Sequence, residues 1–257
     1  MIFQAIILGI IQGFTEFLPI SSSAHLYLVP YFFHWTYEGI GFDVALHWGT
    51  LLAILLIFWR DYWNALFGDR RMLRFLVIGT VPAALAGYFF EKQAETIFRT
   101  PILSAITLAG FALVLWWADR VSSRRDTQVS ADDQAEFALP LNSKKSLFMG
   151  IAQALAIVPG VSRSGITITA GLFAGLSRGE AARFSFLLSG PIIFGAGLVA
   201  LPEAKFDPAL LWGFLASAIS GFLAIKFLLK YLSRNNFNVF VWYRLVLALL
   251  ILATVLL

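Results

Sequence analysis

The chain has 257 residues, of which 59% are hydrophobic and 13% charged, with a net charge of +4 and no cysteine. The charged share is about half the roughly 25% of a soluble domain, so a water-soluble enzyme is excluded as the first reading. The missing cysteines remove disulfides and thiolate metal sites, and no basic stripe along a soluble face points to nucleic acid.

The first element, about 1–30, is apolar but broken. It reads Gly9-Ile-Ile-Gln12-Gly-Phe-Thr15-Glu16-Phe-Leu-Pro19-Ile-Ser21-Ser22-Ser23-Ala-His25. It lacks a basic start, and Glu16 and Pro19 stand where a cleavage site would need small residues, so a signal peptide is not expected. Proline removes a backbone donor and disfavours helix at the residue before it. The segment therefore reads as helix, break, helix.

Three apolar runs follow, at about 42–58, 74–90 and 101–118, each long enough for a hydrocarbon core of roughly 30 Å. A polar stretch, 119–146, carries Ser122, Ser123, Asp126, Asp132, Asp133 and Glu136 without helical periodicity. It reads as a mobile cytoplasmic connector. A second broken apolar segment, about 147–176, reads Gly150-Ile-Ala-Gln153-Ala-Leu-Ala-Ile-Val-Pro159-Gly160-Val-Ser162-Arg163-Ser164-Gly165. Three more spans come at about 184–201, 209–230 and 241–257.

The two broken segments echo each other in a Gly-Ile-x-Gln start, an apolar run, a proline and clustered serines. Gln12 precedes its proline by seven residues and Gln153 by six, which reads as a one-residue insertion in one copy. A second echo pairs Arg74-Phe75 and Pro82 with Arg183-Phe184 and Pro191. It equates the 74–90 and 184–201 spans and makes the 42–58 span an extra of the first half. The expected fold is one all-α polytopic membrane domain, residues 1–257. It has six transmembrane helices and two re-entrant helical hairpins in an inverted repeat, with halves 1–118 and 147–257.

Basic residues orient it. Arg60, Arg70, Arg71 and Arg74 lie in one connection, and Arg120, Arg124, Arg125, Lys144 and Lys145 in another. Arg178 and Arg183 mark a third, Lys230 and Arg234 a fourth. The alternate connections balance fewer cations with Glu91, Glu95, Glu203 and Asp207. The positive-inside rule puts the basic group in the cytoplasm and both termini outside. Hairpin 1 then enters from the outer face and hairpin 2 from the inner face. Glu38, Asp43 and His47 would stand near an outward-facing entrance.

A charge at mid-membrane costs about 2.5–3.5 kcal/mol on insertion scales. Glu16 and Arg163 should therefore pair with each other, a metal or a charged ligand. A plain bridge would lock the hairpins but leave the serines around both charges unexplained. Ser21, Ser22, Ser23, Ser162 and Ser164 fall where the second helix of each hairpin should begin. Capping serines, free amides and the helix dipole make such ends anion sites. Arg163 adds a planar fork suited to phosphate oxygens, and Gly160 and Gly165 allow close backbone approach. Gln12 and Glu16 share a helix face, and their oxygens suit Mg²⁺ or Ca²⁺ beside a substrate phosphate. His25, one turn past Ser22, is a candidate acid, base or nucleophile.

These stretches, Gln12 to His25 and Pro159 to Gly165, resemble the bacterial undecaprenyl-diphosphate phosphatase family, also called bacitracin-resistance proteins. The resemblance runs over essentially the whole chain. It implies an enzyme of the bacterial inner membrane that removes the terminal phosphate of undecaprenyl diphosphate and recycles the lipid carrier of cell-wall synthesis. Carried onto this sequence, the glutamate-rich motif falls on Gln12 and Glu16, the serine–histidine portion on Ser22 and His25, and the arginine on Arg163. Gln12 stands where many relatives have glutamate. The expected partners are a polyprenyl diphosphate and membrane lipids, not nucleic acid, and a homodimer is compatible with the sequence. The expected roles are Ser22 as nucleophile with His25 assisting, attack by His25 or by water remaining open. The rival class is a secondary transporter or lipid flippase, because inverted repeats with broken helices recur there.

Overall fold

The computed structural model describes residues 2–35, 40–96, 98, 100–126, 140–200 and 208–256. Glu38, Glu203, Asp207 and residues 127–139 of the expected connector lie outside the described residues, as do the side chains of Glu91 and Glu95. The described chain is helical throughout, with no strand. Its helices are α1 (Ile2–Phe17), α2 (Ser22–Phe33), α3 (Ile40–Phe67), α4 (Arg70–Thr96), α5 (Pro101–Asp126), α6 (Ser143–Ala154), α7 (Arg163–Phe173), α8 (Arg178–Ala200), α9 (Pro208–Leu232) and α10 (Asn238–Leu256).

Six of them, α3, α4, α5, α8, α9 and α10, are long and apolar enough to cross a membrane, and they are the six spans expected. Most run further than the apolar stretches, chiefly at their basic ends. Expected to stop at residue 58, α3 bends there, at Phe58, and continues to Phe67. The extensions carry tryptophan and arginine, which hydropathy discounts but a helix accommodates at an interface. Arg60 lies over the Trp59 ring and Arg120 over the Trp116 ring.

The expected connector starts too early. Residues 119–126 continue α5, and residues 143–146 already belong to α6. Asp119 is buried, accepts from Arg178 Nε at 2.6 Å and takes the Phe237 amide at 3.3 Å. Its carboxylate ties α5 to the starts of α8 and α10. A polar residue without helical periodicity reads as solvated, but here its partners come from distant elements.

Both broken segments are helix, break, helix. Pro19 lies between α1 and α2, and Pro159 between α6, with the short 3-10 turn Leu155–Ile157 that follows it, and α7. Gln12 and Ser21 are nine residues apart, as are Gln153 and Ser162. The copies are thus the same length from glutamine to helix start, and the expected insertion is a displaced proline instead. Ser21 and Ser162 share a rare backbone state, with φ of 73° and 69°. Each Oγ sits 3.3 Å from the serine two residues on, Ser23 or Ser164.

Packing identifies the repeat. Where α1 lies along α9, α6 lies along α4, while α3 packs on α8 and α5 on α10. A Cβ on Gly9 would come within 2.3 Å of Gly213 O, and one on Gly150 within 2.5 Å of Gly79 O. Glycine is what allows each of these backbone crossings. The described chain is therefore five α-helices followed by five, with α3 matching α8. The Arg-Phe…Pro echo, which set α4 against α8, is a coincidence of short sequence and not a structural equivalence. Three spans per half bring the second copy in with opposite sense, as an inverted repeat requires.

Proline inside a span is also managed. Pro191 frees the carbonyl of Leu187, and Tyr62 Oη donates to it at 2.8 Å.

Candidate active site

The site grows from the first turns of α2 and α7. Ser22 opens α2 and Arg163 opens α7, and they occupy equivalent positions in the two copies. Both reach the same side chain, Glu16, one helical turn past Gln12 on α1. Arg163 Nη2 bonds Glu16 Oε1 as an ion pair. Ser22 Oγ donates to Glu16 Oε2 at 2.6 Å, and Gln12 Nε2 to the same oxygen at 3.1 Å. His47 Nε2, from α3, stands 3.8 Å from Oε2. Glu16 is 6% exposed and Gln12 fully buried. The cost of burying the carboxylate is thus offset by a cation and two hydrogen bonds.

Two polar atoms here have no partner among the described residues: Gln12 Oε1 and Arg163 Nη1. A buried orphan donor or acceptor costs about 1–3 kcal/mol, and at a site it marks where a ligand completes the set. The free guanidinium nitrogen suits a phosphate oxygen. The free amide oxygen suits a cation. Mg²⁺ usually takes one or two carboxylates and completes its shell with water and substrate phosphate. Glu16 and Gln12 meet that limited demand. Among the described residues no three His, Asp or Glu side chains form a larger cage.

The serines divide into roles. Ser162 is a true cap, accepting from the Gly165 amide at 3.2 Å. Ser21 makes no such side-chain cap. Ser164 Oγ donates to Leu18 O at 3.1 Å, tying the second hairpin to the first break. Ser23 is exposed. Positive φ at Ser21 and Ser162 is a strained state for a residue with a Cβ, and such strain gathers at functional sites.

His25 is not gathered in with Ser22 and Glu16. Its Nδ1 bonds Ser21 O at 2.7 Å and its Nε2 bonds Tyr243 Oη at 2.6 Å. Both nitrogens are engaged, and the ring stacks on Tyr243. The proton acceptor within reach of Ser22 is Glu16, and the histidine beside that carboxylate is His47. Asp43, placed at an entrance with His47, uses its backbone carbonyl to hold His47 Nδ1 at 2.7 Å. Sequence neighbourhood favoured His25. The signal for His47 was present but weak, a histidine one turn past an aspartate near the start of a span.

Arg244 went unnoticed. It lies in α10 with 0% exposure. Its Nη2 donates to Gly160 O and Val161 O at 3.0 Å each, its Nη1 to Pro19 O at 3.5 Å, and its Nε to Leu108 O at 3.2 Å. Thr107 Oγ1 serves the Pro159 carbonyl at 2.6 Å. Irregular backbone at membrane depth must find such partners inside the protein. An arginine inside the last apolar run was the available signal.

Up to this point the fold defines an all-α polytopic membrane protein, an inverted repeat whose buried charge collects where the two breaks meet. Residues 5–250 match the family described as Bacitracin resistance protein BacA. The chain is 51% identical to a protein named undecaprenyl-diphosphatase in Moorella thermoacetica, with 98% of this chain and 97% of that protein aligned. It is 50% identical to one of the same name in Pelotomaculum thermopropionicum, over 98% and 97%. It is 45% identical to undecaprenyl-diphosphatase 2 of Stutzerimonas stutzeri, over 97% and 96%. The chain belongs to the bacitracin resistance protein BacA family.

Proposed function

We infer that this chain hydrolyses undecaprenyl diphosphate to undecaprenyl phosphate and inorganic phosphate within a membrane. The observation that carries the chemistry is the Ser22–Glu16 hydrogen bond beside a guanidinium with a free nitrogen. A hydroxyl within reach of a base, next to a cation that can take developing phosphoryl charge, is the arrangement nucleophilic phosphoryl transfer needs. The transporter alternative has no such observation behind it.

In this reading Ser22 Oγ attacks the terminal phosphorus as its proton passes to Glu16 Oε2. The bridging P–O bond breaks and undecaprenyl phosphate leaves. Water then cleaves the Ser22 phosphoester, Glu16 returns the proton to Ser22 Oγ, and phosphate departs. Arg163 Nη1 and the amides opening α2 and α7 hold the phosphoryl oxygens. His25 acts from a distance by fixing the Ser21 carbonyl and the start of α2. The Glu16 carboxylate and Gln12 Oε1 would hold a divalent cation before the proton moves, and the cation would supply charge neutralisation on the diphosphate when bound.

The site opens outward and both termini lie outside in this proposal, on the strength of loop charge. Ser22 phosphorylation tests the central step. Rapid acid quench during turnover of terminally labelled undecaprenyl diphosphate should leave label on Ser22, and Ser22→Ala should lose both label and turnover. Turnover by the alanine variant at a parental rate would hand the attack to water.

A further inference from the structure

A second polar–apolar boundary lies on the far side of Arg163. A cavity of about 630 Å³ opens between α4, α6 and α8, within the roughly 300–1,000 Å³ range of small-molecule sites. At its inner end stand Arg163, Gln153 and Thr80. Gln153 is 2% exposed, and its Oε1 has no partner among the described residues. The same holds for Thr80 Oγ1 and Arg163 Nη1. From there the lining turns apolar along α4 and α8. Eight residues on, at Tyr88 and Val199, both 68% exposed or more, it reaches a rim. At 1.5 Å per residue that is about 12 Å.

The repeat explains why the cavity is there. Gln153 is the counterpart of Gln12, and Ile157, which also lines the cavity, is the counterpart of Glu16. In the first copy this position is a carboxylate facing α3. In the second copy it is a branched alkyl group facing the space by α8. The duplicated architecture thus presents charge on one side of Arg163 and apolar surface on the other. An amphiphile with a phosphate head and a hydrocarbon tail fits that polarity.

We propose that this cavity seats the first isoprene units of the substrate's chain. The Thr80 hydroxyl is directed at an oxygen of the phosphate that stays on the lipid, beside the terminal phosphate held by Arg163 Nη1. The chain lies between α4 and α8 and leaves past Tyr88 and Val199 into the bilayer. Two glycines set its width. Apart from its own stretch of helix, a Cβ on Gly87 or Gly195 would meet none of the described atoms within 4 Å, so a larger side chain there fills cavity without disturbing the packing. The proposal rests on the chain being a polyprenyl diphosphatase.

The test compares undecaprenyl diphosphate with isopentenyl diphosphate, which carries a single five-carbon unit. Gly195→Leu and Gly87→Leu should each raise KM for the long substrate at least about tenfold while leaving kcat/KM for the short one near the parental value. Gly110→Leu, on α5 and equally free of contacts, is the control and should change neither. Unaltered KM for the long substrate in both variants, or equal losses on both substrates, would overturn the chain site. A parent protein that releases phosphate from neither substrate would overturn the functional reading, and this inference with it.

Discussion

Glu16 gathers four groups on two oxygens: Arg163 on one, and Ser22, Gln12 and His47 about the other. They come from α7, α2, α1 and α3, so one carboxylate holds the site's geometry. Arg163→Ala should lower kcat by about 10²–10³-fold, the usual loss when one donor to a developing oxyanion is removed. Arg163→Lys should recover little, because an ammonium cannot bond Glu16 and a phosphate oxygen through a planar fork. Phosphate release in detergent by the purified variants checks this, with near-parental release by Arg163→Ala counting against the site. The cation reading makes a separate demand. Chelation should suppress turnover and Mg²⁺ or Ca²⁺ should restore it. Gln12→Glu should lower the cation concentration needed for half-maximal rate, since it adds a charged oxygen ligand. Full turnover after exhaustive chelation would remove the cation from the mechanism. At this scale the sequence was informative about charge and poor about direction. Glu16 and Arg163 were expected to pair with each other, a metal or a charged ligand, and they pair with each other. Which histidine joined them depended on how α2 rotates about its axis, and a three-residue spacing from Ser22 to His25 leaves that to the contacts with α10.

Among the elements, the breaks depend on α10. Its Arg244 serves carbonyls from both hairpins and from α5, so the two broken helices are joined through a side chain remote in sequence. Each buried acceptor left unpaired costs about 1–3 kcal/mol. Arg244→Met keeps much of the bulk and removes every donor. It should lower the thermal unfolding midpoint in detergent by at least about 5 °C, whereas Lys226→Met, on an exposed position of α9, should move it little. Equal midpoints for the two variants would mean that the breaks do not rely on Arg244. Pro19 and Pro159 made the breaks legible in advance, because proline acts on its own neighbours. What stabilises a break is non-local, and no spacing within 1–30 or 147–176 could reveal it. The ends of α3 and α5 were misjudged for a related reason. Hydropathy follows the hydrocarbon-facing stretch, while Asp119 shows the helix continuing on polar partners supplied by α8 and α10.

Over the whole molecule, duplication was legible from the hairpins, but its register required the packing. Short matches such as Arg-Phe…Pro recur among apolar helices, whereas the crossings of Gly9 on Gly213 and Gly150 on Gly79 join four positions at once. Correcting the register matters for function. With α3 equivalent to α8, the charged face of the first copy and the apolar cavity of the second become alternative versions of one surface, meeting at Arg163. The same five-plus-five count governs sidedness. In the proposed topology three spans separate the two broken segments, which would then enter from opposite faces, with the basic ends of α4, α5 and α8 on the cytoplasmic side. Because the chain has no cysteine, single thiols report cleanly. Ser23→Cys, exposed at the start of α2, should react with a membrane-impermeant maleimide added to intact cells, and undecaprenyl diphosphate should protect it. Lys144→Cys, exposed in the first turn of α6, should react only after the membrane is opened. The reverse pattern would invert the protein and place the diphosphate's approach on the cytoplasmic side. Labelling of both thiols from outside would break the link between loop charge and orientation on which the outward-facing site rests.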